Sequence, residues 1–192
     1  MTFRQELASF RIPEAKPTCV VPQAGSVAPS SEKLLVPNNN RCPTVVIFLR
    51  HCGCPFAEKT FKNLRATAAG APGIRFVAVS HSDRDATDRW LEAVGGKGEV
   101  EIIVDPEREI FAQWGLGLSS FWHFLSPPGL WAAYRLGKDE GIWNGPTESG
   151  NRWQTSGCFA MDREGIVRWG GAMQRADEIP NLAEAVKMLR AE

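Results

Sequence analysis

The stretch Thr44-Val45-Val46-Ile47-Phe48-Leu49-Arg50-His51-Cys52-Gly53-Cys54-Pro55 decides the fold. Its first half is a continuous apolar, β-branched run of strand length. Such a run marks a strand covered on both faces, as in the middle of a parallel sheet. The run stops at a short loop, and Pro55 then suits the first turn of a helix, where its missing N–H goes unused. Phe56, Phe61, Leu64 and the alanines up to Ala69 continue that helix, and Gly70 closes it. Strand, tight loop and helix follow one another, with two thiols in the loop.

The same alternation continues downstream. A second buried strand is expected over residues 74–80, then a helix with Trp90, Leu91 and Val94 on one face, stopped by Gly95-Gly96. A third strand covers residues 100–104, and Asp105-Pro106 opens a short helix over 107–114. Strands alternating with helices imply parallel pairing with right-handed crossovers. Residues 115–153 are broken repeatedly by glycine and proline, yet hold Phe121, Trp122, Phe124, Leu125, Leu130, Trp131, Tyr134 and Trp143. An aromatic insertion of this kind is either a lid or pocket wall, or a satellite cluster over a sheet edge. Cys158 to Met161, the turn Asp162-Arg163-Glu164-Gly165, and Ile166 to Trp169 make a β-hairpin. A final amphipathic helix over 181–191 carries Leu182, Ala185, Val186 and Leu189 on one face. Upstream, residues 1–43 are punctuated by prolines and read as an irregular lead-in, with short strands around 19–21 and 33–36 at most.

Composition narrows the function. The chain has 192 residues, 22 Lys+Arg against 22 Asp+Glu, and 43% hydrophobic residues. That length fits one domain. A zero formal net charge gives no electrostatic footprint for nucleic acid. No apolar run is long enough to span a membrane. The start of the chain lacks an apolar core behind a basic segment, so no signal peptide is expected and the location expected is cytoplasmic. Five cysteines are an odd set without disulfide-scaffold spacing, which favours free or catalytic thiols.

Cys54 sits where the second element begins. The unpaired N–H groups and the dipole of a helix N-terminus stabilise an anion, so this position suits a nucleophilic thiolate. Arg50 and His51 just upstream add to that field, at the strand end where open α/β sheets usually carry their sites. The plainer reading of Cys54 is a small buried apolar residue; its place directly before Pro55 favours the reactive one. His51, Cys52 and Cys54 suit zinc or copper by ligand type, but their spacing is tighter than a zinc knuckle and there is no second pair, so neither metal nor cofactor is expected. His81, at the end of the second strand, faces the same sheet edge, either lining a pocket or sitting in a loop at the start of the next helix. His123 and Trp122 lie in the aromatic insertion, as pocket residues or as core.

The residues 48–57, Phe48-Leu49-Arg50-His51-Cys52-Gly53-Cys54-Pro55-Phe56-Ala57, resemble the active-site loop of thioredoxin-fold, peroxiredoxin-like proteins of the alkyl-hydroperoxide-reductase/thiol-specific-antioxidant (AhpC/TSA) superfamily. There the loop commonly reads phenylalanine, any residue, arginine, histidine, two variable residues, then cysteine-proline-x-cysteine. Asp105-Pro106, Trp153-Gln154 with Gly157 and Phe159, and Asp162 with Gly165, Val167 and Arg168 resemble it too, over about residues 44 to 190. The resemblance implies an α/β, thioredoxin-like fold over residues 44–192: a central mixed sheet flanked by helices, with the aromatic-rich insertion before the C-terminal hairpin. It implies a thiol-dependent oxidoreductase, antioxidant or acting in thiol–disulfide exchange, with Cys54 as nucleophile and Arg50 supporting it. His51, Pro55, His81, Trp122, His123 and Gln154 would then line the substrate site.

The sequence also departs from that pattern. The second cysteine of the pair is replaced by Ala57, so the vicinal disulfide is lost. A Cys52–Cys54 bridge would close a very small, strained ring. Cys158, just past the Thr155-Ser156-Gly157 stretch that replaces the cis-proline of thioredoxin folds, is either a partner for Cys54 or a buried strand residue. Cys19 and Cys42 read as bystanders. The proline and threonine or serine that peroxiredoxins place upstream of the reactive cysteine have no counterpart, because Pro43-Thr44 precede the strand. The expected partners are a small molecule (a peroxide, a thiol or a hydrophobic metabolite) and a reductant such as glutathione or thioredoxin, in a monomer or a homodimer. The alternative function is a cofactor-free biosynthetic enzyme on the same fold, holding an aromatic or hydrophobic metabolite in the insertion.

Overall fold

A computed structural model describes residues 9–120 and 127–191 of the chain. Strand β1, Thr44–Phe48, is buried along its whole length and forms the centre of a five-stranded sheet. It pairs in parallel with β2, Arg75–Ser80, placing Phe48 opposite Val79. On its other edge it pairs antiparallel with β4, Gly157–Met161, placing Ile47 opposite Cys158. β3, Glu101–Val104, and β5, Val167–Ala172, complete the order β3-β2-β1-β4-β5. This is the mixed sheet expected from the sequence.

Side chains alternate across a strand, and β1 therefore feeds two cores. Val45, Ile47 and Leu49 face helix α1, Pro55–Gly70, helix α2, Arg84–Ala93, and the C-terminal helix α5, Leu182–Arg190, meeting Phe61, Leu64, Leu91, Leu182 and Leu189. Val46 and Phe48 face the short helix α3, Glu109–Gln113, meeting Phe111, Trp114 and Phe159. Phe48 lies 5.1 Å from the Phe111 ring and 5.3 Å from Trp114. The upstream segment has no helix or strand over residues 9–43, and the strands expected at 19–21 and 33–36 do not form. It nevertheless closes the second core with Ala28, Leu34 and Val36.

The termini of these helices follow their local chemistry. Asp83 accepts a hydrogen bond from the Ala86 N–H and caps α2. Asp105 accepts from the N–H groups of Glu109, Ile110 and Phe111 and fixes α3. Asn181 caps α5 through the Glu184 N–H.

The insertion holds a helix that its glycines and prolines conceal. α4, Pro127–Glu140, packs along α1 and is tied to it by the Lys59–Glu140 pair. Pro127 and Pro128 sit in its first turn, where proline is tolerated. Gly137 lies in its interior because the Trp143 ring occupies the space a side chain would need: a Cβ there would come within 2.4 Å of it. Beyond α4, residues 141–153 run as an irregular strap back towards the loop that follows β1.

Candidate active site

The loop after β1 is almost wholly enclosed. Arg50, His51, Cys52 and Cys54 are buried, and only Gly53 is partly open. Cys54 is the residue that caps α1: its backbone is extended (φ −75°, ψ 126°), its carbonyl accepts from the Glu58 N–H at 3.1 Å, and its own N–H donates to the His51 carbonyl at 3.1 Å. Pro55 follows in the first turn, buried. The sequence thus places a thiol at the N-terminus of a 16-residue helix, where the aligned peptide dipoles favour an anion.

Cys52 turns towards β2 and α2. Its sulfur lies 3.8 Å from Ser80 Oγ and 4.0 Å from Thr87 Oγ1, and its N–H donates to Ser82 Oγ at 3.2 Å. Burial pushes this thiol above its ordinary range, and the hydroxyls of Ser82, Ser80 and Thr87 offset part of that rise. Cys52 and Gly53 form the floor of a cavity of about 240 Å³ bounded by Glu58, Arg89, Trp90 and the strap residues Pro146 and Glu148. A second, much smaller cavity of about 20 Å³ lies between Arg50, Ala57, Thr60 and Ser156. It has room for about one water molecule, beside the position where the resembled motif carries its second cysteine.

His51 and His81 lie behind the thiols in a cationic environment. His51 is 1% exposed, and neither ring nitrogen has a hydrogen-bond partner. Burial, then Arg50, Arg152 and His81, hold its pKa well below the usual histidine range. His81 is lowered to about 4, chiefly by burial. Both imidazoles are therefore neutral at pH 7. Arg50 donates from Nη2 to the Arg152 carbonyl at 3.0 Å, and Arg152 donates to Ser9 Oγ and Thr147 Oγ1, both at 2.9 Å.

The other residues singled out from the sequence fall in different places. Cys158 is fully buried among Val45, Ile47 and Phe61, and burial raises its thiol far above the ordinary value. Gln154 is buried and donates to the carbonyls of Leu116 and Gly117, which pins the loop before β4. Trp122 and His123 lie outside the described residues. All five cysteines are free: Cys19 is exposed and Cys42 half-buried. Among the described residues, no three His, Cys, Asp or Glu side chains converge as a metal would require, and no helix is long and apolar enough to cross a membrane. Sequence reasoning missed Arg152, Asn151 and Thr87. Arg152 adjoins the Trp153-Gln154 stretch, the one local sign that this segment returns to the site.

A mixed sheet with a cysteine at the N-terminus of the helix that follows its central strand defines a thioredoxin-like α/β protein. Within that class, the chain belongs to the AhpC/TSA antioxidant enzyme family, which residues 60–175 match. The match begins just beyond the thiol loop, so it rests on the scaffold downstream of Cys54. No curated protein matches the chain. Among solved structures, a peroxiredoxin-like protein from Aquifex aeolicus is similar at a TM-score of 0.61 and 17% identity, covering 92% of this chain and 91% of that one. A mutant of the peroxiredoxin 6 of Arenicola marina gives a TM-score of 0.61 at 15% identity, covering 88% of this chain and 72% of that chain. The thiol peroxidase from Chromobacterium violaceum gives 0.55 at 11% identity, covering 92% and 91%. These likenesses are of fold.

Proposed function

We propose that the chain is a thiol-dependent oxidoreductase in which Cys54 attacks a peroxide. The observation that carries this reading is the position of Cys54 as the cap of α1, at the end of the central strand of an AhpC/TSA scaffold. The Cys54 thiolate attacks one peroxide oxygen and the O–O bond breaks. Cysteine becomes sulfenic acid, and the departing alkoxide or hydroxide takes up a proton. The Arg50 guanidinium, buried beside the loop, supplies positive charge for the anion that develops.

Ala57 leaves the loop without its usual neighbour thiol, and Cys158 is sealed in the core. An external thiol such as glutathione, or a thioredoxin, then completes the cycle. A first thiol condenses with the sulfenic acid, releasing water and forming a mixed disulfide. A second thiol displaces Cys54 and leaves as the external disulfide. Five free cysteines fit a reducing, cytoplasmic setting.

The test is peroxide treatment followed by trapping with a sulfenic-acid reagent and peptide mass mapping. Cys54 is expected to carry the adduct, and Cys54→Ser to abolish both the adduct and peroxide consumption. An adduct confined to Cys52, or peroxide turnover surviving in Cys54→Ser, overturns the assignment. Ala57→Cys supplies a complementary result. It restores a helix-start cysteine pair, and oxidation should then join Cys54 to the introduced thiol in an internal disulfide that removes the need for a monothiol.

A further inference from the structure

Helix α4 packs along α1, yet one of its faces is bare. Leu130, Trp131 and Tyr134 follow one another at helical spacing and are 55%, 63% and 50% exposed. Trp143, just past the helix, folds back over Gly137 and is itself 57% exposed. The rings touch in order. Trp131 stacks on Tyr134 with centroids 5.5 Å apart and an interplanar angle of 28°, and Tyr134 meets Trp143 edge-on at 6.4 Å and 69°. The result is one continuous aromatic face in which each ring is braced by its neighbour.

Its extent can be set against what an interface requires. At about 150–250 Å² per aromatic ring, the exposed fractions leave roughly 400 Å² of apolar surface in one place. Patches of that size are commonly functional. A standard interface takes about 800 Å² from each partner, and about 65% of a homodimer interface is apolar, or roughly 500 Å² per copy. The α4 face therefore supplies most of the apolar area that one copy must bring. Its residue types are those of an interface centre, with Trp and Tyr in the middle and charge kept to the flanks.

Charge selects the occupant. The charged residues of α4 are two basic, Arg135 and Lys138, and two acidic, Asp139 and Glu140. Arg135 pairs with Asp139 at 3.5 Å, and Glu140 pairs with Lys59. These flanks make no basic belt for an anionic membrane and no single-sign field that would select a charged partner. The chain has a zero formal net charge, so a second copy approaches without repulsion. The face also complements itself, because rings accept rings edge-on or offset. A two-fold axis lays such a face on its own copy and closes the assembly. We propose that the chain forms a two-fold dimer through the aromatic face made by Leu130, Trp131, Tyr134 and Trp143. Dimer formation does not depend on the chemistry of Cys54.

Interfaces of this size bind at micromolar concentration or tighter, so sedimentation equilibrium of the full chain over about 1–200 μM should show the mass rising to twice that of one chain. Trp131→Glu sets like charges facing each other across the axis and should weaken association at least about 30-fold. Its far-UV circular dichroism, read at a concentration where the parent is monomeric, should match the parent. Tyr134→Ser removes a half-exposed ring and reads the same contact if Trp131→Glu fails to fold. Val20→Ser changes an exposed apolar residue outside the face and should leave association unaltered. Hydrogen exchange of peptides covering 127–143 should slow as concentration rises through the dimer range, while β3 stays unchanged. A chain that is still monomeric at the highest concentration overturns the dimer. Association that survives unweakened in Trp131→Glu or Tyr134→Ser, or slowing confined to other segments, overturns the face. Binding to vesicles of neutral or anionic phospholipid that is lost in Trp131→Glu would give the face to a membrane and overturn the proposal as well.

Discussion

β1 and the strap at residues 144–153 meet across Gly53 but are held by different forces. β1 is buried on both faces and paired on both edges, so its position follows from apolar area and ladder hydrogen bonds together. The strap is anchored at one end by the buried Trp153 and otherwise rests on individual polar contacts between residues far apart in sequence. A rigid strand end thus presents the thiols, and a segment held by polar contacts lies against Cys52 and Gly53. Sites that must admit a ligand are built in this way, with precision from the scaffold and access from its least stable part.

The largest effect should come from breaking the rigid side. Phe48→Ala removes a fully buried ring packed against Phe111, Trp114 and Phe159. It should destabilise the chain by about 3–5 kcal/mol in denaturant unfolding; a change below about 1 kcal/mol would remove the contrast with the strap. Acid should act on the other side. His81 has a folded pKa of about 4, below the 6.5 of the unfolded chain, so between those values the unfolded chain binds a proton that the folded one refuses. Stability should therefore fall as pH drops from about 6.5 to 4 and level off below, by about 3 kcal/mol from this residue. His51 shifts in the same direction and adds to it. Unfolding midpoints across that range that stay flat after correction for other groups would contradict a sealed, neutral pair.

Gly53→Ala strikes the contact itself. Gly53 has φ +100°, which a Cβ disfavours by about 1–2 kcal/mol, and that Cβ would collide with Pro146. The strap should be displaced while β1 keeps its hydrogen-exchange protection; loss of protection in both would mean that the two regions unfold as one. The smallest effect belongs to Arg89→Ala. Its pair with Glu148 is largely exposed, so the change should leave the thermal unfolding midpoint nearly unchanged. A larger loss in thermal unfolding would show that surface charge dominates the strap's attachment.

Much of the scaffold is legible in the sequence because its signals are local. The apolar run 44–49, Pro55 after Cys54, Gly95-Gly96 after α2 and the Asp162–Gly165 turn each mark an element within a few residues. Asp162 shows why: it accepts from the N–H groups of Glu164 and Ile166, so the hairpin turn is built from its own side chain. α4 is hidden because Gly137 reads as a breaker until Trp143 is seen packed on it. The site is legible only in part. Cys54 at a helix start follows from its neighbours, but the turn of Cys52 towards Ser80 and Thr87 depends on a strand and a helix far along the chain.

By itself, the sequence determined the order of elements outside the insertion, the central buried strand and the thiol at the head of α1, because hydrophobic period and proline and glycine placement act over short range. Only the tertiary structure decided that Cys158 is core, that the 9–43 segment closes one face of the sheet, and that Asn151 reaches His81 across 70 residues. Those outcomes depend on which polar groups and apolar faces remain unsatisfied once the sheet has formed, and no local pattern carries that information.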